Sequence, residues 1–80
     1  MTEVNEELLK QKVNAYYKSG TIVHISFKKG YWKRGMILEL SSDFFMLQER
    51  LEGEMPVFFS EIEDIAKFIP KERGQYVNTN

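Results

Sequence analysis

Cysteine is absent, so neither a disulfide nor a thiolate metal site can hold this chain together. A single histidine, His24, excludes a histidine-rich metal centre. No stretch approaches the roughly 18 apolar residues that a membrane-spanning helix needs. The opening residues, Met1-Thr2-Glu3-Val4-Asn5-Glu6-Glu7, are polar and acidic, unlike a secretory leader. The expectation is a soluble, cytoplasmic protein. A charge excess is also missing: 11 basic residues face 12 acidic ones. That balance argues against a strongly basic, indiscriminate nucleic-acid binder.

Catalytic signatures are missing too. No serine sits in a nucleophile-elbow motif, and His24 has no cysteine to pair with. Gly30 and Gly35 have phosphate-loop spacing, but Met36 follows instead of Lys-Ser/Thr. The acid pairs Glu52/Glu54 and Glu61/Glu63 read as solvated turn residues. The sequence therefore predicts no enzyme, no metal and no cofactor.

What the chain does have is aromatic residues: six Phe, four Tyr and one Trp in 80 residues. These suit a tight core or an interface. A chain this short is one domain and buries only about 60% of its unfolded surface. Without disulfides or metals, self-association is the remaining support.

Residues 2–18 read as a helix. Val4, Leu8, Leu9, Val13, Tyr16 and Tyr17 form one apolar stripe. Thr2 can cap its start, and Ser19-Gly20 is a good stop. The stripe is expected to cover the open end of a barrel built from the rest of the chain. Five short strands fill residues 21–69. The first is Thr21 to Phe27, where Val23, Ile25 and Phe27 alternate with polar residues. Gly30 centres the next turn. Strand two runs from about Tyr31 to Leu40, and Gly35 inside it marks a bulge or bend. Strand three is Phe44 to Arg50, and strand four Met55 to Ser60, with Pro56 near its start. A tight turn at Glu61-Ile62-Glu63 leads to strand five, Asp64 to Ile69, closed by Pro70. Residues 71–80 are polar and read as a disordered tail. The fold class is mainly β: an N-terminal helix before a five-stranded, strongly bent antiparallel barrel. The domain is 1–70.

These residues resemble the Sm-like family of Sm, Lsm and Hfq proteins. Val23-His24-Ile25-Ser26-Phe27-Lys28-Lys29-Gly30 is similar to the alternating strand that ends in glycine in the family's first motif. Gly30 and Gly35 keep that motif's gap, and Ile37 falls at its core aliphatic position. Val57-Phe58-Phe59-Ser60-Glu61-Ile62 resembles the second motif. The resemblance covers residues 4–69 and implies a helix-capped, SH3-like barrel, ring assembly and RNA binding. The pocket residues depart from the pattern. Asp43 follows Gly35 by eight residues where the family usually has six, and Phe44-Phe45-Met46 replaces the expected asparagine. Phe58-Phe59-Ser60 replaces the Arg-Gly of Sm or the Tyr-Lys-His of Hfq.

In rings of this family the fourth strand of one subunit pairs with the fifth strand of the next. The resemblance thus implies a homo-oligomer interface of Val57, Phe58 and Phe59 with Ile65, Phe68 and Ile69. RNA binding has its own residue-level argument. Lys28, Lys29, Lys33 and Arg34 carry no acid among them, and Tyr31 and Trp32 lie between them. Aromatic faces stack on bases while cations hold phosphates. Trp32 either does this or packs beneath the helix. A second candidate surface is the loop pair of Asp43, Phe44 and Phe45 with Ser60. From Glu39 to Asp64 the acids outnumber the one base, Arg50. That half, together with the altered pocket, favours an alternative: a protein-interaction or assembly module that binds no RNA. The partners left open are a second copy, single-stranded RNA and another protein, with no membrane.

Overall fold

A computed structural model of the chain describes residues 2–70, with side chains from Glu6 onward. The polar tail and the side chains of Thr2 and Val4 lie outside the described residues. Helix α1 spans Thr2–Ser19. Five strands come after it: β1 Ile22–Phe27, β2 Trp32–Leu40, β3 Phe44–Glu49, β4 Gly53–Phe58 and β5 Ile62–Lys67. A single 3₁₀ turn, η1 at Phe59–Glu61, joins β4 to β5. All five strands form one antiparallel sheet in the order β4-β3-β2-β1-β5.

The helix ends as its sequence dictates. Gly20 takes φ +66°, and the N–H groups of Gly20 and Thr21 donate back to the Tyr17 and Tyr16 carbonyls at 3.3 and 3.1 Å. This is a Schellman stop, which satisfies the last orphan carbonyls. The buried stripe is narrower than the apolar one. Leu9 and Val13 are buried and Tyr16 packs on the core, whereas Leu8 and Tyr17 stay exposed. One helix lying on a small curved core meets it along a single row, so flanking apolar residues remain in water. Lys12 pairs with Asp64 of β5 at 3.0 Å. That exposed pair adds only ~0.2–1 kcal/mol.

The core alternates as a half-buried sheet should. Val23, Ile25 and Phe27 of β1 face Phe45 and Leu47 of β3, Val57, Phe59, Ile62 and Ile65. Ile37 and the helix residues Leu9 and Val13 complete it. Among the described residues no polar side chain is buried.

Three strand expectations need correction. The register irregularity in β2 falls between Ile37 and Glu39, not at Gly35. Gly35 serves closeness instead: a Cβ there would run into the Gln48 carbonyl oxygen of β3. The β3–β4 turn closes sooner than expected, because Gly53 at φ +84° already starts β4. Strands four and five therefore begin two residues early, and Phe59–Glu61 forms the turn in place of Glu61-Ile62-Glu63.

That early turn has a specific lock. The Glu49 carboxylate accepts the Leu51 and Glu52 N–H groups at 2.8 and 2.7 Å. The Glu52 N–H above all holds the Glu49 carboxyl below its ordinary value. Partial desolvation opposes it, and the Leu51 N–H, Lys33 and Arg50 add to it. A lowered folded-state pKa stabilises above the ordinary value and is lost as pH falls through the lowered one. The protection of the Leu51 and Glu52 amides, relative to their intrinsic exchange rates, should accordingly fall as pH drops below the ordinary glutamate range. In Glu49→Gln that acid step should disappear; an unchanged step in the variant would remove the assignment.

Candidate nucleic-acid interface

Alternation along β2 decides where the basic and aromatic residues go. Trp32 lies opposite Ser26, and Arg34 lies opposite His24, all on the outer face of the sheet. Trp32 is 54% exposed and its ring stacks on His24, centroids 4.7 Å apart. Trp32 thus does not pack beneath the helix. The Arg34 guanidinium lies 4.3 Å from the Phe68 ring centre. The outer face therefore carries two stacked layers side by side, one of two aromatic rings and one of a guanidinium on a ring, with Ile22 and Met36 exposed beside them. Ile22, Met36, Phe68 and Pro70 line a cleft of about 660 Å³, with Arg34, Glu49 and Arg50 at its walls.

Tyr31 and Lys33 belong to a different surface. The Tyr31 ring stacks on buried Phe27 at 4.5 Å, nearly parallel. Lys28, Lys29 and Tyr31 face Ser60 and Glu61 across a small cleft of about 170 Å³. Lys33 is drawn to Glu52 at 3.1 Å, so part of the basic stretch is neutralised by the acidic half. The stretch from Lys28 to Arg34 is thus two patches, not one.

Barrel closure explains why Ser60 joins the first turn. The Lys28 N–H donates to the Glu61 carbonyl at 3.0 Å, and the Phe59 N–H donates to the Asp43 carbonyl at 3.0 Å. Turn η1 therefore ties the β1–β2 and β2–β3 turns together. Asp43 lies exposed there. Phe44 is half-buried against Phe58, ring centres 5.3 Å apart. Phe45 is fully buried, so the core removes it from the candidate RNA surface.

The residues proposed for self-association divide the same way. Val57, Phe59 and Ile65 are buried in their own core and can offer a neighbour only backbone. Phe58 and Ile69 are exposed, and Phe68 is half-buried under Arg34. Sequence reasoning gave His24 no part in the candidate site and missed its stack. The signal was present: His24 sits diagonally across an antiparallel pair from Trp32 once Gly30 sets the hairpin register.

Among the described residues there is no group of three or more metal-ligating side chains and no helix long and apolar enough to cross a membrane. No family model matches the chain. No curated protein matches either. Solved structures do match. The 1.55 Å crystal structure of the pleiotropic translational regulator Hfq aligns with a TM-score of 0.65 at 15% identity, covering 74% of this chain and 97% of that one. The shared architecture is the Sm-like fold, a helix followed by five antiparallel strands in one bent sheet.

Proposed function

We propose that this Sm-like barrel is a non-enzymatic RNA-binding protein of the RNA-chaperone type, working in the cytoplasm as a homo-oligomeric ring. The observation that carries the RNA reading is Trp32, more than half exposed on the outer face with His24 beneath it and Arg34 beside it. An exposed indole held in place by a second ring is a ready platform for an unstacked base. Lys28 and Lys29, exposed on the β1–β2 turn, supply charge for the backbone. The matched structure is described as a translational regulator, which fits an RNA ligand. Ring assembly is supported by the two unpaired sheet edges, β4 and β5, at opposite ends of the strand order. Repetition around a ring would turn modest single-site affinity into avidity.

Titration of labelled homopolymer RNAs at two salt concentrations tests the reading. Binding should weaken steeply with salt. A Lys28→Ala/Lys29→Ala variant should bind less tightly and lower the slope of log K against log salt by about 1.4, at ~0.7 per lost phosphate contact. No binding to any homopolymer at low salt would exclude RNA as the ligand. The apolar cleft of Ile22, Met36, Phe68 and Pro70 favours a second reading, a protein-interaction or assembly module. That reading expects Met36→Lys to abolish partner capture while RNA is ignored.

A further inference from the structure

Arg34 and Arg50 are the cations of the outer-face cleft, and among the described residues neither enters an ion pair. The Arg50 N–H donates to the Arg34 carbonyl at 3.2 Å, so the two side chains leave neighbouring strands on one face. Against these two guanidiniums the cleft has one carboxylate, Glu49, and the Leu51 and Glu52 N–H groups hold it. Arg34 rests on the Phe68 ring, which fixes the plane of a group that suits a carboxylate two N–H donors at a time. The floor beside them is apolar. Ile22 and Met36, directly paired across β1 and β2, are 45% and 37% exposed, and Phe68 and Pro70 extend them. Apolar side chains grouped in water with charge at one wall mark a contact surface. From β3 to the chain beyond β5 the cleft crosses three strand spacings, about 14 Å, which four or five extended residues span.

We infer that this cleft binds a short acidic and apolar peptide segment of another protein, with apolar side chains on Ile22, Met36 and Phe68 and a carboxylate on Arg34 and Arg50. This rests on the protein-interaction reading of the cleft and names the partner's chemistry. A carboxylate between the two arginines supplies the charge the wall lacks, and the apolar side chains cover the floor. RNA suits the cleft less. A base needs a free ring to stack on or polar groups to meet its edges. The floor is aliphatic apart from Phe68, whose ring Arg34 already occupies. Trp32, the exposed ring, lies outside the cleft. The chain's own residues 71–80 follow Pro70, but their charges are Lys71, Glu72 and Arg73, more base than acid.

Random octapeptides displayed on phage and selected on the full chain test the site. Selected sequences should combine Leu, Ile, Met or Phe with Asp or Glu. The tightest of them, made as a labelled peptide, should bind about tenfold more weakly to Met36→Ser and to Arg50→Glu, with circular dichroism showing both variants folded. Changing the peptide's acids to amides should cost about tenfold on the wild type and little more on Arg50→Glu, which ties the carboxylate to that arginine. Selected sequences without acids, or a peptide that ignores Arg50→Glu, would overturn the proposed chemistry and leave the protein-interaction reading standing. Selection of no peptide would remove both. Displacement of the peptide by homopolymer RNA in a Trp32→Ala variant would assign the cleft to RNA. Peptide affinity that falls as protein concentration rises would assign it to a second copy of the chain, and either result overturns the proposal.

Discussion

Replacing Trp32 by alanine is expected to cut RNA affinity by roughly 5- to 150-fold, the ~1–3 kcal/mol of one lost base stack. Stability should barely change. The indole is 54% exposed and contributes no core contact, so its removal opens no cavity. The midpoint of thermal unfolding should move by only a few degrees, since about 1 kcal/mol corresponds to ~4–8 °C in a domain of this size. Trp32→Phe should keep most of the affinity, because a flat ring still rests on His24. Trp32 is the single tryptophan, so its own fluorescence reports the contact: a stacked base should quench it. Wild-type affinity in the alanine variant would place the RNA elsewhere, with the Lys28, Lys29, Tyr31 and Ser60 cleft next to be tried. A large loss of stability instead would show that the indole supports the fold.

The order of elements was readable because local rules agree with one another. Leu9 and Val13 repeat at a helical step, Gly20 ends the helix, and Val23, Ile25 and Phe27 alternate. Each pattern is a one-dimensional trace of a buried face. Boundaries failed where one residue could serve two structures. Pro56 looked like a strand opener because an interior proline removes a ladder bond. It lies mid-strand only because β4 is an edge, and edge status is a property of the whole sheet. Gly53 looked like one turn residue among several, and only its φ of +84° shows that the turn is already complete.

The candidate site was readable as composition and not as shape. Lys28 to Arg34 reads as one basic, aromatic stretch, yet pleating sends Trp32 and Arg34 to one face and Tyr31 and Lys33 to another. The Lys33–Glu52 pair joins residues nineteen apart in sequence, and no local pattern announces it. Phe44 and Phe45 were equally plausible ligand contacts by residue type. Alternation allows only one of them to face out, and the pairing of Phe45 with Leu40 and Val57 decides which.

Gly35→Ala should be the most damaging single-methyl change in the sheet. The added Cβ meets a backbone carbonyl of β3, not the tip of a flexible side chain, so β2 and β3 must separate where Gly35 pairs with Glu49. Overpacking of this kind costs about 3 kcal/mol at the upper end of the usual range. For a chain of 80 residues total stability is of order 4–12 kcal/mol, so the loss is a large fraction of it. At fixed protein concentration, which must be held because any self-association would stabilise the folded state, the unfolding midpoint should fall by roughly 12–24 °C. Gly35→Val should fail to fold. Gly53→Ala makes the control, since it tests backbone conformation without crowding. A Cβ there meets open space but must sit at φ +84°, and the left-handed conformation costs about 1–2 kcal/mol. Equal losses at Gly35 and Gly53 would mean that β2 and β3 relax freely.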